Sequence, residues 1–353
     1  MNENNISTDL QKRAFCVALQ KNNKTIKVDG DFPNEFSEVL KNASISWVNV
    51  IVDDIKADSE RIATSLGFSS NLISALLTDK PSNYEDTDVE LGIIMPAVSI
   101  KELDITINPL IILIKKGLVL TIHEKAVTRL VRFSRYADIF MKKIKQNIPW
   151  QDKLTLMLVR IINETNSKNF DYLREIEQQA DWLVKYLMDP KTPRQKLGPE
   201  IYKMKHALIV YLDSLWVSFN VITNLREGDA MVLSDNEKLL EKISLLSGDV
   251  RNQISISEHM SEVLASGLEV LQTIYNNQLQ MLNNRLALLV AWLTIIGTAV
   301  LVPNTLATIF GIPSISERFN WMIVILILTA STILAGLGSY WFVKSRGLLS
   351  RKL

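Results

Sequence analysis

Two long apolar runs close the chain. No charged residue falls between Leu286 and Ser316, and after Glu317 and Arg318 a second uncharged run extends from Phe319 to Val343. With a helical rise of about 1.5 Å per residue, about 20 apolar residues cross the hydrocarbon core of a bilayer. The pattern predicts two transmembrane helices joined by a short turn near Gly311 to Asn320, with both termini on one side. Upstream the period changes. Ala14 to Leu19, Ser46 to Val52, Val89 to Ile100 and Leu110 to Ile122 are strand-length runs rich in Val, Ile and Leu, and Lys116-Gly117 marks a hairpin turn. Between them, Ile62, Leu66, Leu72, Ile73, Leu76 and Leu77 repeat at helical spacing and predict one helix over Asp58 to Leu77, capped by Asp58 or Ser59.

From Ala126 onward the pattern is helical. Leu154, Met157, Leu158, Ile161 and Ile162, then Leu173, Ile176, Ala180, Leu183 and Leu187, predict a helix from Lys153 to Met188 that stops at Asp189-Pro190. A second spans about Glu200 to Leu225 and breaks at Glu227-Gly228-Asp229. A third starts near Ser234, with Glu237 placed for a capping box, and meets no strong stop before Pro303. It enters the first span without a linker. The expected fold is an α+β domain over 1–125, a helical stem over 126–233, and a long stalk helix with the first span over 234–309. An outer loop over 310–320, a second span over 321–343 and a basic tail over 344–353 complete it.

The long helix carries the candidate chemistry. Counting by sevens gives Asn276, Asn283, Val290, Gly297 and Asn304 on one line and Gln280, Ala287, Thr294, Leu301 and Thr308 on its companion. A seven-residue repeat holds one face of a helix toward a bundle axis. Two readings stand side by side. In one, the line is an oligomerisation seam whose single Asn residues set register. In the other, amides and hydroxyls surround a water-filled axis, with Val290, Leu293 and Leu301 as an apolar constriction. Asn304, Thr305 and Thr308 are easier to place facing an axis than facing lipid.

Charge orients the hairpin. Lys344, Arg346, Arg351 and Lys352 follow the second span with no acid among them, and Arg285 precedes the first. Basic residues beside spans favour the cytoplasm, so both termini and the soluble part are expected inside a cell membrane. Trp321 then falls at the outer interface, with Tyr340 and Trp341 at the inner one. The N-terminus is polar and carries no secretory pattern. The formal net charge of +1 gives no bulk attraction to nucleic acid. Cys16 is the only cysteine, and His123, His206 and His259 follow no metal-ligand spacing, so a thiolate or caged zinc site is not expected. No phosphate loop, nucleophile elbow or paired catalytic carboxylate is recognisable, so the chain reads as a non-enzyme without a resident cofactor.

The chain resembles the CorA family of divalent-cation channels over nearly its whole length. Trp47-Val48-Asn49-Val50, Leu66-Gly67-Phe68 followed by Leu72 and Leu76, and Val119 to Glu124 resemble segments of that family's soluble domain. Asn283-Asn284-Arg285-Leu286 and Leu293 to Thr298 resemble its entry into the first span, and Pro303-x-Thr305 a helix-breaking pore element. Phe310-Gly311 resembles the start of its Tyr/Phe-Gly-Met-Asn signature. The resemblance implies a homopentamer around the first span, passing hydrated magnesium, with cobalt or nickel as further ions. It also implies closure by cytoplasmic magnesium bridging acids between neighbours, for which Glu102, Asp104, Asp249 and Glu258 are candidates. Solvated surface acid is the ordinary alternative for each. Departures are specific. Gly311-Ile312-Pro313 replaces the signature, so the outer mouth lacks the family's amide. Ala287 stands where a lower-pore Asn is usual, and Asn276 where an acid often lines the funnel. Two further readings follow: a zinc or cadmium transporter coupled to protons, and a non-conducting cation sensor in the membrane.

Overall fold

The structure, a computed structural model, describes residues 13–77, 83–101, 104–188, 197–227, 230–317 and 319–345. They divide into two compact units, Met1–Leu268 and Glu269–Leu353.

The first unit is built on a seven-stranded sheet. Its strands are β1 (Ala14–Gln20), β2 (Thr25–Gly30), β3 (Ala43–Val52), β4 (Tyr84–Asp86), β5 (Glu90–Lys101), β6 (Asp104–Lys115) and β7 (Leu118–Glu124), in the order β2-β1-β3-β7-β6-β5-β4. β3 and β7 pair in parallel and all other neighbours are antiparallel. β1 is buried at all seven positions because both of its faces are covered. Alternation sorts the sides. After the short α1 (Ser37–Asn42), α2 (Ile55–Ser65) and α3 (Ser70–Leu77) meet Cys16, Ala18, Val48, Val50, Leu120 and Ile122. Phe15 and Trp47 point the other way, toward Phe133 of α4 (Thr128–Phe133), with ring centroids 5.0 and 4.9 Å from Trp47.

Several expected boundaries move for physical reasons. The helix expected over Asp58 to Leu77 is two helices. Gly67 adopts φ 78° between them, a left-handed conformation that ends α2. The cap is Asp54, whose carboxylate accepts from the backbone amides of Lys56 and Ala57. The helix expected over Lys153 to Met188 is likewise two, α6 (Trp150–Asn166) and α7 (Asn169–Met188), after the short α5 (Ala137–Lys142). β2 and β4 escaped the hydrophobic pattern because they are edge strands with exposed residues. β6 begins at Asp104 rather than Leu110, because its polar first half is carried by pairing with β5.

α8 (Leu197–Glu227) is long and apolar enough to cross a membrane, but it packs on β5, β6 and α7, and Ile201, Met204, Leu208, Tyr211, Leu215 and Ile222 are buried there. The helix that follows, α9 (Glu237–Phe310), has 74 residues. Its start is not the expected Ser234–Glu237 box. Asn236 Oδ1 accepts from the Lys238 amide, while the Ser234 hydroxyl donates to the Asp152 carboxylate of α6. Within the first unit one side of α9 is buried: Leu239, Ile243, Leu246, Val250, Ile254, Met260 and Leu264. A buried chain of amides ties the helices together. Tyr211 donates to the Asn169 carbonyl, and Asn169 Nδ2 donates to Gln253 of α9.

The second unit holds the rest of α9, the turn α10 (Pro313–Ser316) and α11 (Trp321–Ser345). Ala291, Ile295 and Val343 form its small buried cluster.

Candidate functional site

α9 does not stop at Pro303. It stays helical to Phe310, so the expected helix break is absent. Proline removes one hydrogen bond, and in a spanning helix neighbouring groups satisfy the freed carbonyl. That carbonyl belongs to Ala299. A Cβ on Gly336 of α11 would lie 3.7 Å from the Ala299 side chain, so Ala299 is on the side turned to α11.

The side of α9 that α11 covers is read from burial. Ala291 and Ile295 are buried, and Leu288, Ala299, Leu306 and Phe310 are half-buried, spaced at threes and fours. The seven-residue seam lies elsewhere. Asn276, Gln280, Asn283, Ala287, Val290, Leu293, Thr294, Leu301, Asn304, Thr305 and Thr308 are all exposed in the single chain. At about 100° per residue, Asn304 sits opposite Ile295, Val290 and Thr308 within about 45° of that opposite side, and Leu301 within about 60° of it. α11 therefore leaves the seam open. Val290 is 62% exposed, Leu293 73% and Leu301 64%.

The polar groups on this face have a definite polarity. Each threonine hydroxyl donates to the carbonyl four residues back: Thr294 to Val290, Thr305 to Leu301 and Thr308 to Asn304, each at 2.8 Å. The proton is committed to the helix, so what each oxygen offers outward is lone pairs, which suits a cation. Among the described residues, the side-chain amides of Asn276, Gln280, Asn283 and Asn304 make no hydrogen bond within the chain. An unpartnered amide at the depth of a bilayer costs several kcal/mol against water or a hydrogen-bonded partner.

Gly311 does not enter the left-handed region, and its amide donates to the Ala307 carbonyl at 2.9 Å. Pro313 is the first residue of α10, where its missing amide and fixed φ fit. The carbonyls of Ile312 and Pro313 already accept from Ile315 and Glu317. Phe310 and Phe319 close the turn with ring centroids 5.6 Å apart.

The candidate regulatory acids are not brought together. Glu102 lies outside the described residues. Asp104 is exposed at the start of β6, across from Lys101. Asp249 and Glu258 are exposed on α9, nine residues apart and so on opposite flanks of the helix. Among the described residues no three His, Cys, Asp or Glu side chains meet as a metal cluster. Of the tail cations only Lys344 is described, and Arg318 of the turn also lies outside.

The sequence model of the family described as CorA-like Mg2+ transporter protein matches residues 42–345. The chain belongs to that family. It is thus a membrane transporter of divalent cations, and its two apolar helices α9 and α11 fit that placement. Among curated proteins, none matches the chain. Solved structures share the fold. The complete CorA magnesium transporter from Methanocaldococcus jannaschii superposes with TM-score 0.66 at 18% identity, covering 94% of this chain and 97% of that one. The full-length CmaX protein gives 0.66 at 11% identity, covering 95% and 98%. The ZntB cytoplasmic domain from Vibrio parahaemolyticus gives 0.55 at 14% identity, covering 74% and 98%. The CorA-like architecture of mixed sheet domain, long helix and C-terminal helix is common to this chain and the full-length CorA.

The committed threonine protons and the close approach of Gly336 to Ala299 are what the sequence reading missed. A signal for the first was present, since a threonine inside a spanning helix can donate its hydroxyl to the carbonyl four residues back.

Proposed function

We propose that the chain forms a homo-oligomer, a pentamer as in the family it resembles, with α9 lining an axis and α11 facing lipid. Through it a hydrated divalent cation, magnesium first and cobalt or nickel after it, flows down its electrochemical gradient. The observation that carries this reading is the open polar face of α9: four amides without partners and three hydroxyls presenting lone pairs, on the side α11 leaves uncovered. One helix cannot enclose water, so several copies must share it. Magnesium sheds its waters reluctantly, and a ring of amides and hydroxyl oxygens can hold its hydration shell without stripping it. Val290, Leu293 and Leu301 narrow the path with apolar side chains that can dewet.

In this reading Asn304, with Thr305 and Thr308, makes the main ion contact. Pro313 supplies no side-chain donor or acceptor, and the Gly311, Ile312 and Pro313 carbonyls make a weaker outer mouth. The freed Ala299 carbonyl, on the α11 side, is not part of the ring. Asp104, Asp249 and Glu258 are left as surface acids. Arg285 and the basic tail support a cytoplasmic position for both termini.

A zinc transporter coupled to protons is the second reading, favoured by Pro313 in place of the signature Asn. Flux into liposomes separates the two. Magnesium uptake independent of a pH gradient is the expected result. Zinc uptake that needs the gradient would replace the first reading with the second, and no flux of any divalent ion would favour a sensor.

A further inference from the structure

A groove that lies wholly within the first unit is unrelated to α9. Its floor is the end of β3, with Val50 and Val52. One wall is the stretch that leads from β2 into the 3-10 turn Pro33–Phe36, where Asp31, Phe32 and Pro33 line it. The other is one face of α2, on which Asp58, Arg61 and Ile62 recur at threes and fours. The cavity measures about 240 Å³. Drug-sized ligands occupy roughly 300–1,000 Å³, so this groove suits a small metabolite. Val52, Ile62 and Pro33 are buried, and Phe32 leaves 68% of its surface exposed at the same groove. Charges of both signs stand above this apolar surface. Arg61 gives Nη2 to Asp58 at 2.9 Å, and its other guanidinium nitrogens are without partners among the described residues. On the facing wall, the Asp31 carboxylate accepts only the Arg13 backbone amide among the described residues, at 3.4 Å. The Arg13 guanidinium is already engaged by Asp53 at 3.1 Å.

We infer that this groove binds an apolar α-amino acid as its zwitterion, with the carboxylate on Arg61, the ammonium on Asp31 and the side chain over Val52, Ile62 and Phe32. The charge pattern selects the class. A carboxylate alone would sit against Asp31, and an ammonium alone against Arg61. A zwitterion meets an opposite charge on each wall. The planar fork of an arginine matches a carboxylate with two parallel hydrogen bonds. The Arg61–Asp58 pair is exposed on the arginine side, so sharing Arg61 with a ligand costs little. Phe32 supplies the apolar contribution, because a ligand side chain laid on it removes an exposed ring from water.

The test titrates the full-length protein in detergent by calorimetry, with L-leucine and L-phenylalanine as separate probes. Saturable binding of at least one, at one site per chain, is expected. Arg61→Gln and Asp31→Asn are each expected to weaken it tenfold or more. Both residues are exposed, and thermal melting checks that the variants remain folded. Arg174→Gln, at an exposed arginine on α7, should change nothing. Analogues of the bound probe separate the charges. The form without the amine, 4-methylpentanoate or 3-phenylpropanoate, should bind at least tenfold more weakly. So should the form without the carboxylate, 3-methylbutylamine or 2-phenylethylamine. Binding of neither amino acid would overturn the site, as would binding that survives both substitutions in folded protein. A single-charge analogue that binds as tightly as its amino acid would overturn the zwitterion assignment.

Discussion

His123 is the residue whose surroundings are most consequential outside the membrane. It is fully buried at the end of β7, with Nδ1 2.8 Å from the Glu124 carbonyl and Nε2 3.0 Å from Asn49 Oδ1. Trp47 donates to the Thr121 hydroxyl, which in turn lies 2.7 Å from the same Asn49 oxygen, while Asn49 Nδ2 is buried without a partner. Turning that amide over gives a better account. Nδ1–H donates to Glu124, so Nε2 is bare and needs a donor, and the Asn49 NH2 group supplies it. Burial lowers the His123 pKa to about 4. Above pH 6.5 the ring is neutral in both folded and unfolded chains and stability is unaffected by it. Between 6.5 and about 4 the unfolded chain takes up a proton that the folded chain refuses, so stability falls with falling pH, by roughly 3 kcal/mol in all. Thermal melting followed by Trp fluorescence should show this acid loss in the parent and a flatter profile in His123→Gln. Equal slopes would contradict the assignment.

Gly67 makes a second prediction at this scale. Its φ of 78° and the Lys115 ammonium 2.9 Å from where a Cβ would sit both oppose a side chain. Lys115 donates to the Leu66 and Gly67 carbonyls and lies over the Phe68 ring, so it cannot withdraw freely. Gly67→Ala should cost about 1–2 kcal/mol from the left-handed conformation alone, read as a lowered melting temperature with normal assembly. An unchanged melting temperature would show that the turn relaxes without cost.

Among the elements, the apolar runs for β1, β3, β5, β7 and both spans were legible because buried strands and lipid-facing helices leave continuous hydrophobic stretches. The polar edges β2 and β4, and the first half of β6, were not, since they are held by pairing rather than by their own composition. Gly67 and the Asp54 cap split one expected helix into two, and a periodicity count passes over such a break. On α9 the seam was legible as a seven-residue repeat, but its open exposure needed the position of α11, and the fate of each threonine proton needed coordinates. Pro303-x-Thr305 resembles a helix-breaking element because proline usually breaks a helix, yet α9 continues past it. The apolar constriction belongs to this scale. Val290→Asn or Leu293→Asn should raise ion leak in liposomes severalfold by wetting the narrow stretch. If neither changes flux in a conducting preparation, the constriction lies elsewhere.

At the scale of the assembled molecule, the account requires copies to meet along α9 and not along α11. Cysteine at Thr294 should cross-link between subunits, and cysteine at Leu326, 68% exposed on α11, should not. Thr298 is half-buried and so a poorer position for this test. Pro313→Asn should leave the protein folded and shift preference toward magnesium, by returning an amide to the outer turn. Flux through Asn304→Leu bears on the central claim most directly. The Asn304 amide is exposed, unpartnered within its own chain and opposite the face that α11 covers, and leucine fits a spanning helix at least as well. Reconstituted at equal density and with Thr294→Cys cross-linking intact, Asn304→Leu should lose magnesium flux. Flux equal to the parent would contradict the placement of the ion path along this face of α9.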